Sequence, residues 1–156
     1  MAVDDDSARV SFPPPLIYLG MLAIGRALDF ILPWQIALPI WARVGVGVGF
    51  IVAGAALSIT ATGRFRRAHN DVRPWKSTTS IIDTGIYSHT RNPMYLGMVS
   101  VFLGLAVAMS SLGALLLALP VMVIIRTQVI AREEAYLTAK FGAEYTAYCA
   151  RVRRWI

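Results

Sequence analysis

Apolar residues in this chain fall into long unbroken blocks, with the polar residues gathered between the blocks and at the end. A helix crosses a bilayer with roughly 20 apolar residues. Leu16 to Leu32 is a first such block, entered from Pro13-Pro14-Pro15. Val44 to Thr62 is a second, without charge and rich in Gly and Ala, a composition that lets helices approach closely in lipid. The third block, Asn92 to Ile125, is uncharged over 34 residues. As one helix it would run about 51 Å, far beyond a hydrocarbon core of roughly 30 Å. Ser110-Ser111-Leu112-Gly113 offers a turn in its middle. The pattern predicts a tight hairpin, Pro93 to Met109 and Leu112 to about Ile130, with a kink expected at Pro120. The fold class is all-α: a membrane bundle of about four transmembrane helices followed by a surface segment. It reads as a single domain over 1–156: two spans in 1–62, a loop over 63–92, the hairpin over 93–130 and a C-terminal segment over 131–156.

Composition agrees. The chain is 56% hydrophobic and 15% charged, against about 25% charged in a soluble domain. Mean hydropathy is +0.58. The net charge of +6 is expected on loops facing the cytoplasm, and nucleic acid is not expected as a partner. Arg64, Arg66, Arg67, Arg73, Lys76 and Arg91 lie between spans two and three; Arg132, Lys140, Arg151, Arg153 and Arg154 follow the hairpin. The link from Pro33 to Arg43 carries Arg43 alone. Lys and Arg bias sets orientation, so both termini, the 63–92 loop and the tail are expected on the cytoplasmic side of a bacterial-type inner membrane. The acidic start MAVDDDSARV lacks the basic region of a secretory signal. The single Cys149 permits no intrachain disulfide, and with His69 and His89 it makes a poor metal set, so no metal is expected. Arg26 and Asp29, three apart near the end of the first span, read as an ion pair at the far surface in preference to a functional intramembrane charge.

Candidate chemistry begins with Gly85 to Gly97, GIYSHTRNPMYLG, at the mouth of the third span. Asn is a strong N-cap and Pro suits the first helical position, so Asn92-Pro93 should open the helix. A helix start offers free amides and a positive dipole end, and Arg91 adds a forked cation beside it, a combination suited to a carboxylate. Gly97 would allow close ligand approach, while Tyr87 and Tyr95 could stack on a flat ring. His89 could line a pocket; His69 reads as interfacial. The same residues would also serve as an ordinary interfacial belt. The tail from Ala131 has Tyr136, Leu137, Phe141, Tyr145 and Tyr148 near helical spacing, interrupted by Gly142, and predicts an amphipathic surface helix. Glu133 and Glu134 are either a solvated helix start or acids facing a cation, a sugar hydroxyl or a transferable proton.

Taken together these segments resemble the isoprenylcysteine carboxyl methyltransferase-like membrane methyltransferases, a superfamily that includes phospholipid methyltransferases and, more distantly, sterol reductases. The resemblance rests on Gly85-Ile86-Tyr87, Arg91-Asn92-Pro93-Met94-Tyr95-Leu96-Gly97, Arg132-Glu133-Glu134 and Phe141-Gly142-Ala143-Glu144-Tyr145-Thr146-Ala147-Tyr148, in that order, with Pro74 in the preceding loop. It implies methyl transfer from S-adenosylmethionine to a lipophilic acceptor entering from the bilayer: an isoprenylcysteine-like carboxylate, a lipid amine or a small thiol. Tyr87, His89, Arg91, Asn92, Tyr95 and Gly97 would form one wall of the cofactor site and Arg132, Glu133 and Glu134 the other, with Arg126 a less certain contributor from the hairpin. Arg91, Glu133 and Glu134 are the expected catalytic residues. The chain departs from the pattern at Asn92, where many relatives have His, and at Arg153, where carboxyl methyltransferases have Pro after Arg-Val. Those departures weigh against a prenylcysteine substrate. The alternatives are an NADPH-dependent reductase like the sterol reductases, for which a larger cytoplasmic cup is expected, and a non-enzymatic bundle, for which polar residues at the midplane are expected. The Gly-rich second span is compatible with a homodimer.

Overall fold

The computed structural model describes residues 6–8, 10, 12–32, 35–71 and 73–155; most of the acidic start, and Pro33 in the first link, lie outside them. Among the described residues every regular element is helical: α1 (Pro14–Leu28), α2 (Ile40–Arg67), α3 (Pro93–Ala108), α4 (Leu112–Ile124), α5 (Ala131–Phe141) and α6 (Ala143–Arg151). A π-helical segment, Ile125–Ile130, joins α4 to α5 without a break, and a 3-10 turn, Gly85–Ser88, precedes α3.

Among the described residues two helices are long and apolar enough to cross a membrane: α2, and the continuous rod from Leu112 to Phe141. The apolar α1 and α3 are shorter, at 15 and 16 residues. α1 starts at Pro14, where the missing amide costs nothing, and ends four residues before the expected Leu32. α2 runs past the expected Thr62 to Arg67, because Arg64, Arg66 and Arg67 complement the negative end of the helix dipole.

The expected hairpin turn is present. Ser110 takes a left-handed conformation (φ 54°), and Ser111 caps α4 by accepting from the Ala114 amide at 3.1 Å. Asp29 pairs with Arg26 at 2.8 Å, as expected, and its other oxygen accepts from the Gly113 amide at 2.8 Å. The carboxylate thus ties α1 to the start of α4. The irregularity expected at Pro120 appears one turn and more later, as the π segment.

α2 packs antiparallel on α3, and α1 on α4. A Cβ on Gly54 would lie 2.5 Å from the Gly97 carbonyl oxygen, and one on Gly97 2.6 Å from that of Gly54. Small residues there bring the two backbones into contact. The Gly-rich face of α2 is therefore used within the chain at Gly47 and Gly54, while Gly45 and Gly49 face open space. The core runs through Phe102, Ala106, Ala114, Val121, Ile125 and Val129.

The loop, tail and N-terminal segment meet at one end of the bundle. Lys140 binds the carboxylate of Asp6, Ser77 Oγ (2.9 Å) and Tyr136 Oη (3.0 Å). The other end holds the end of α1, the α3–α4 turn and the start of α2.

Candidate active site

Asn92 and Pro93 open α3 as the sequence suggests, with Pro93 at the first helical position. The Asn92 side chain makes no capping bond. Its Nδ2 donates instead to the Arg154 carbonyl at 3.0 Å, and the Arg91 amide donates to the Arg153 carbonyl at 3.0 Å. The last residues therefore strap across the start of α3. Trp155 packs on the main core and Val152 is buried beside Tyr145 and Tyr148, which anchors the strap.

The two neighbouring acids differ in their surroundings. Glu134 is clamped: Arg154 donates to both its oxygens at 2.9 and 2.7 Å, and Arg91 Nη1 lies 3.3 Å from Oε1. Forked guanidinium contact of this kind fixes a carboxylate in place. Glu133 has no cationic partner among the described residues and accepts one hydrogen bond, from Tyr95 Oη at 2.7 Å. Part of the residue is reachable through the cleft, but the carboxyl sits deeper. Burial raises it to about 7; the Tyr95 bond opposes that rise and the charge of Glu134 adds to it. The residue lies on α5, beyond the apolar part of the Leu112 rod. A π turn carries one residue more than an α turn, so the Ile125–Ile130 segment resets the face on which both acids emerge.

These groups share one cleft, with about 840 Å³ of empty space counting its open mouth. Its walls include Tyr87, Arg91, Asn92, Tyr95, Glu133 and Glu134. Tyr87 is buried against Phe65 at the end of α2, ring centroids 5.5 Å apart. Burial raises its hydroxyl above the usual phenol range. The Tyr87 hydroxyl and Arg91 Nε are both buried without a hydrogen-bond partner. Two such orphans in one cleft are unusual, because buried polar groups are nearly always paired. Both are hydrogen-bond donors left without an acceptor.

The roof comes from the loop after α2, through Asp71 and residues between 73 and 82, and here sequence reasoning was silent apart from Pro74. Asn70 is buried and organises the loop. It donates to the Ser80 carbonyl at 2.9 Å and accepts from the Thr79 amide at 2.8 Å. Asp71 lines the cleft with its carboxyl held near 2, chiefly by its bonds with Arg73. Arg154 was also passed over as a site residue. Its signal was a tail arginine that could return to the Glu pair, which no helical periodicity reveals.

Several expected site residues lie elsewhere. His89 is exposed and turned to Ser88 Oγ (3.0 Å) and the Gly85 carbonyl (3.3 Å), off the cleft. Gly97 faces α2, where a side chain would collide with Ser58 Oγ, so its smallness serves helix packing. Arg132 is exposed and lines a separate groove with Val10, Phe12 and Gln128. Arg126 is exposed on the π segment, outside the cleft lining. Arg132 and Glu134, two positions apart, point about 200° apart around the helix, so Arg132 turns away from the cleft that Glu134 lines.

A protein of Haemophilus influenzae described as an uncharacterized protein is 38% identical over 63 residues, 40% of this chain and the whole of that protein. No solved structure matches. The phospholipid methyltransferase family matches residues 42–144, from the first turn of α2 to the start of α6, and so includes the α3 opening and both acids. With well over half of its length matched, the chain belongs to the phospholipid methyltransferase family.

Proposed function

We propose that the protein is an integral membrane methyltransferase that takes its methyl group from S-adenosylmethionine and delivers it to a lipophilic acceptor. The family supports methyl transfer in general. One observation carries the cofactor reading: the cleft joins two unpartnered buried donors, Tyr87 Oη and Arg91 Nε, to two carboxyl groups. That donor set fits a ligand carrying both a carboxylate and cationic centres.

When bound, the cofactor supplies an electrophilic methyl on a sulfonium, open to in-line displacement. Arg91 and Tyr87 would hold its carboxylate. Glu133, which lacks a cationic partner, would balance its positive charge. Glu134 is committed to Arg91 and Arg154 and would keep Arg91 in place. An acceptor amine would need to lose a proton, and Glu133 would be the base for it. A carboxylate or thiolate acceptor would need none. Alignment and exclusion of water by the strap and the loop roof would supply most of the acceleration; orientation can lower a barrier by roughly 7–11 kcal/mol.

In this reading α1 to α4 cross the membrane, and both termini and the cleft lie on the cytoplasmic side. The arginines at the end of α2 and in the tail support that orientation. The acceptor would enter from the bilayer between helices. The test is to incubate purified protein with methyl-labelled S-adenosylmethionine and a total lipid extract, and to titrate NADPH in parallel. Label in a lipid product supports the reading. NADPH binding with no S-adenosylmethionine binding favours a reductase instead.

A further inference from the structure

We infer a second binding site, for a phosphate group, at the end of the bundle opposite the cleft. Arg43 stands in the first turn of α2 and Phe65, beside the cleft, near its end. The two are about 33 Å apart along the helix, at 1.5 Å per residue. Arg43 borders a cavity of about 700 Å³, counting its open mouth, with Arg26, Asp29, Phe30, Gln35 and Ser110.

Charge in this cavity is unbalanced. Its one acid, Asp29, is already engaged, with one oxygen on Arg26 at 2.8 Å and the other on the Gly113 amide at 2.8 Å. Arg43 has no ion-pair partner among the described residues, and its Nε is buried without an acceptor. A cation in the first turn of a helix also opposes the dipole, which favours negative charge there. Burial without a partner, the wrong end of a dipole and a spent counter-ion all point to an anion from outside the chain.

The rim indicates which anion. Phe30 of the cavity wall is 86% exposed, and Ile31, Ile40 and Trp41, close to Phe30 or Arg43 in the chain, are 75%, 67% and 76% exposed. Large apolar side chains so exposed suit lipid contact, with Trp at the headgroup level. A forked guanidinium matches a phosphate oxygen pair. The ligand chemistry is therefore a phosphate, carried by a lipid headgroup or free in solution. The placement at a bilayer surface rests on the four-span reading above; the unpaired Arg43 does not.

The test uses the full chain in detergent, titrated with dioleoyl phosphatidylglycerol, with dioleoylglycerol (the same tails without phosphate) and with inorganic phosphate, and read by native mass spectrometry. Phosphatidylglycerol should bind, and dioleoylglycerol should bind about tenfold more weakly. Arg43→Gln should remove that advantage and Arg43→Lys part of it. Gln35→Glu, at an exposed position, should do the same by repulsion and covers the case in which Arg43→Gln does not fold. Inorganic phosphate binding that depends on Arg43, without lipid preference, would assign the site to free phosphate. Equal binding of both lipids with no Arg43-dependent phosphate binding would overturn the inference. S-adenosylmethionine affinity, measured on the same samples, should not change; its absence in the wild type would defeat the proposed function and leave this site standing.

Discussion

Arg154, two residues from the end of the chain, holds both carboxylate oxygens of Glu134, at 2.9 and 2.7 Å. The tail is thereby built into the wall of the cleft. Arg154→Ala should leave Glu134 held by Arg91 alone and loosen the strap over α3. The pair is partly exposed, 34% and 19%, so the full cost of breaking a buried pair does not apply. A loss of about 1–2 kcal/mol, seen as a lowered Tm in detergent, is expected. A Tm equal to that of the wild type would show that the strap contributes no stability.

Glu133 provides a pH signature. Its carboxyl is raised to about 7 in the folded protein. A raised acid favours the folded state at low pH; that contribution is full below the ordinary carboxyl value and is lost as pH rises through about 7. Binding of a cationic ligand has the opposite sign, because it needs the anion. S-adenosylmethionine affinity should fall by up to about tenfold per pH unit below 7 and level off above it. In Glu133→Gln the profile should be flat. A wild-type profile flat between pH 5.5 and 8 would remove Glu133 from the role of counter-charge.

The π segment should be separable from helix content. Deleting Thr127, exposed and within Ile125–Ile130, should return the segment to α geometry and leave Glu133 and Glu134 on their present face, because the residue removed is the extra one that the π turn accommodates. Circular dichroism and S-adenosylmethionine affinity should both change little. Lost binding with unchanged circular dichroism would show that the acids depend on the π backbone itself.

Gly97 and His89 test two residues that stand off the cleft. Gly97→Ala should cost about 1–3 kcal/mol through overpacking against α2, with cofactor affinity of the folded fraction unchanged. His89→Ala should alter that affinity less than about twofold, as expected of an exposed surface change. Loss of affinity in His89→Ala without loss of stability would place the imidazole in the site after all.

The apolar blocks made the helices and the hairpin turn legible, because in long uncharged runs the only strong local signals are breakers such as Ser110-Ser111 and caps such as Asn92-Pro93. Arg91, Tyr95, Glu133 and Glu134 could be grouped because a hairpin returns the chain to the side it left, bringing the residues after it level with the start of the third helix. What stayed hidden depends on the third dimension. Asn70 organises its loop through a single side chain, which has no periodicity. Arg154 reaches Glu134 only because the strap folds back. Gly97 reads equally well as a ligand approach or a helix contact until its neighbour Gly54 is placed.

The proposed enclosure of one cofactor by Arg91 and the acids of α5 is open to calorimetric titration with S-adenosylmethionine. Wild-type protein in detergent should bind, and Arg91→Ala and Glu134→Gln should each weaken binding by about 10–100-fold, the cost of a lost charge-assisted contact. Unchanged affinity in both variants would contradict the claim.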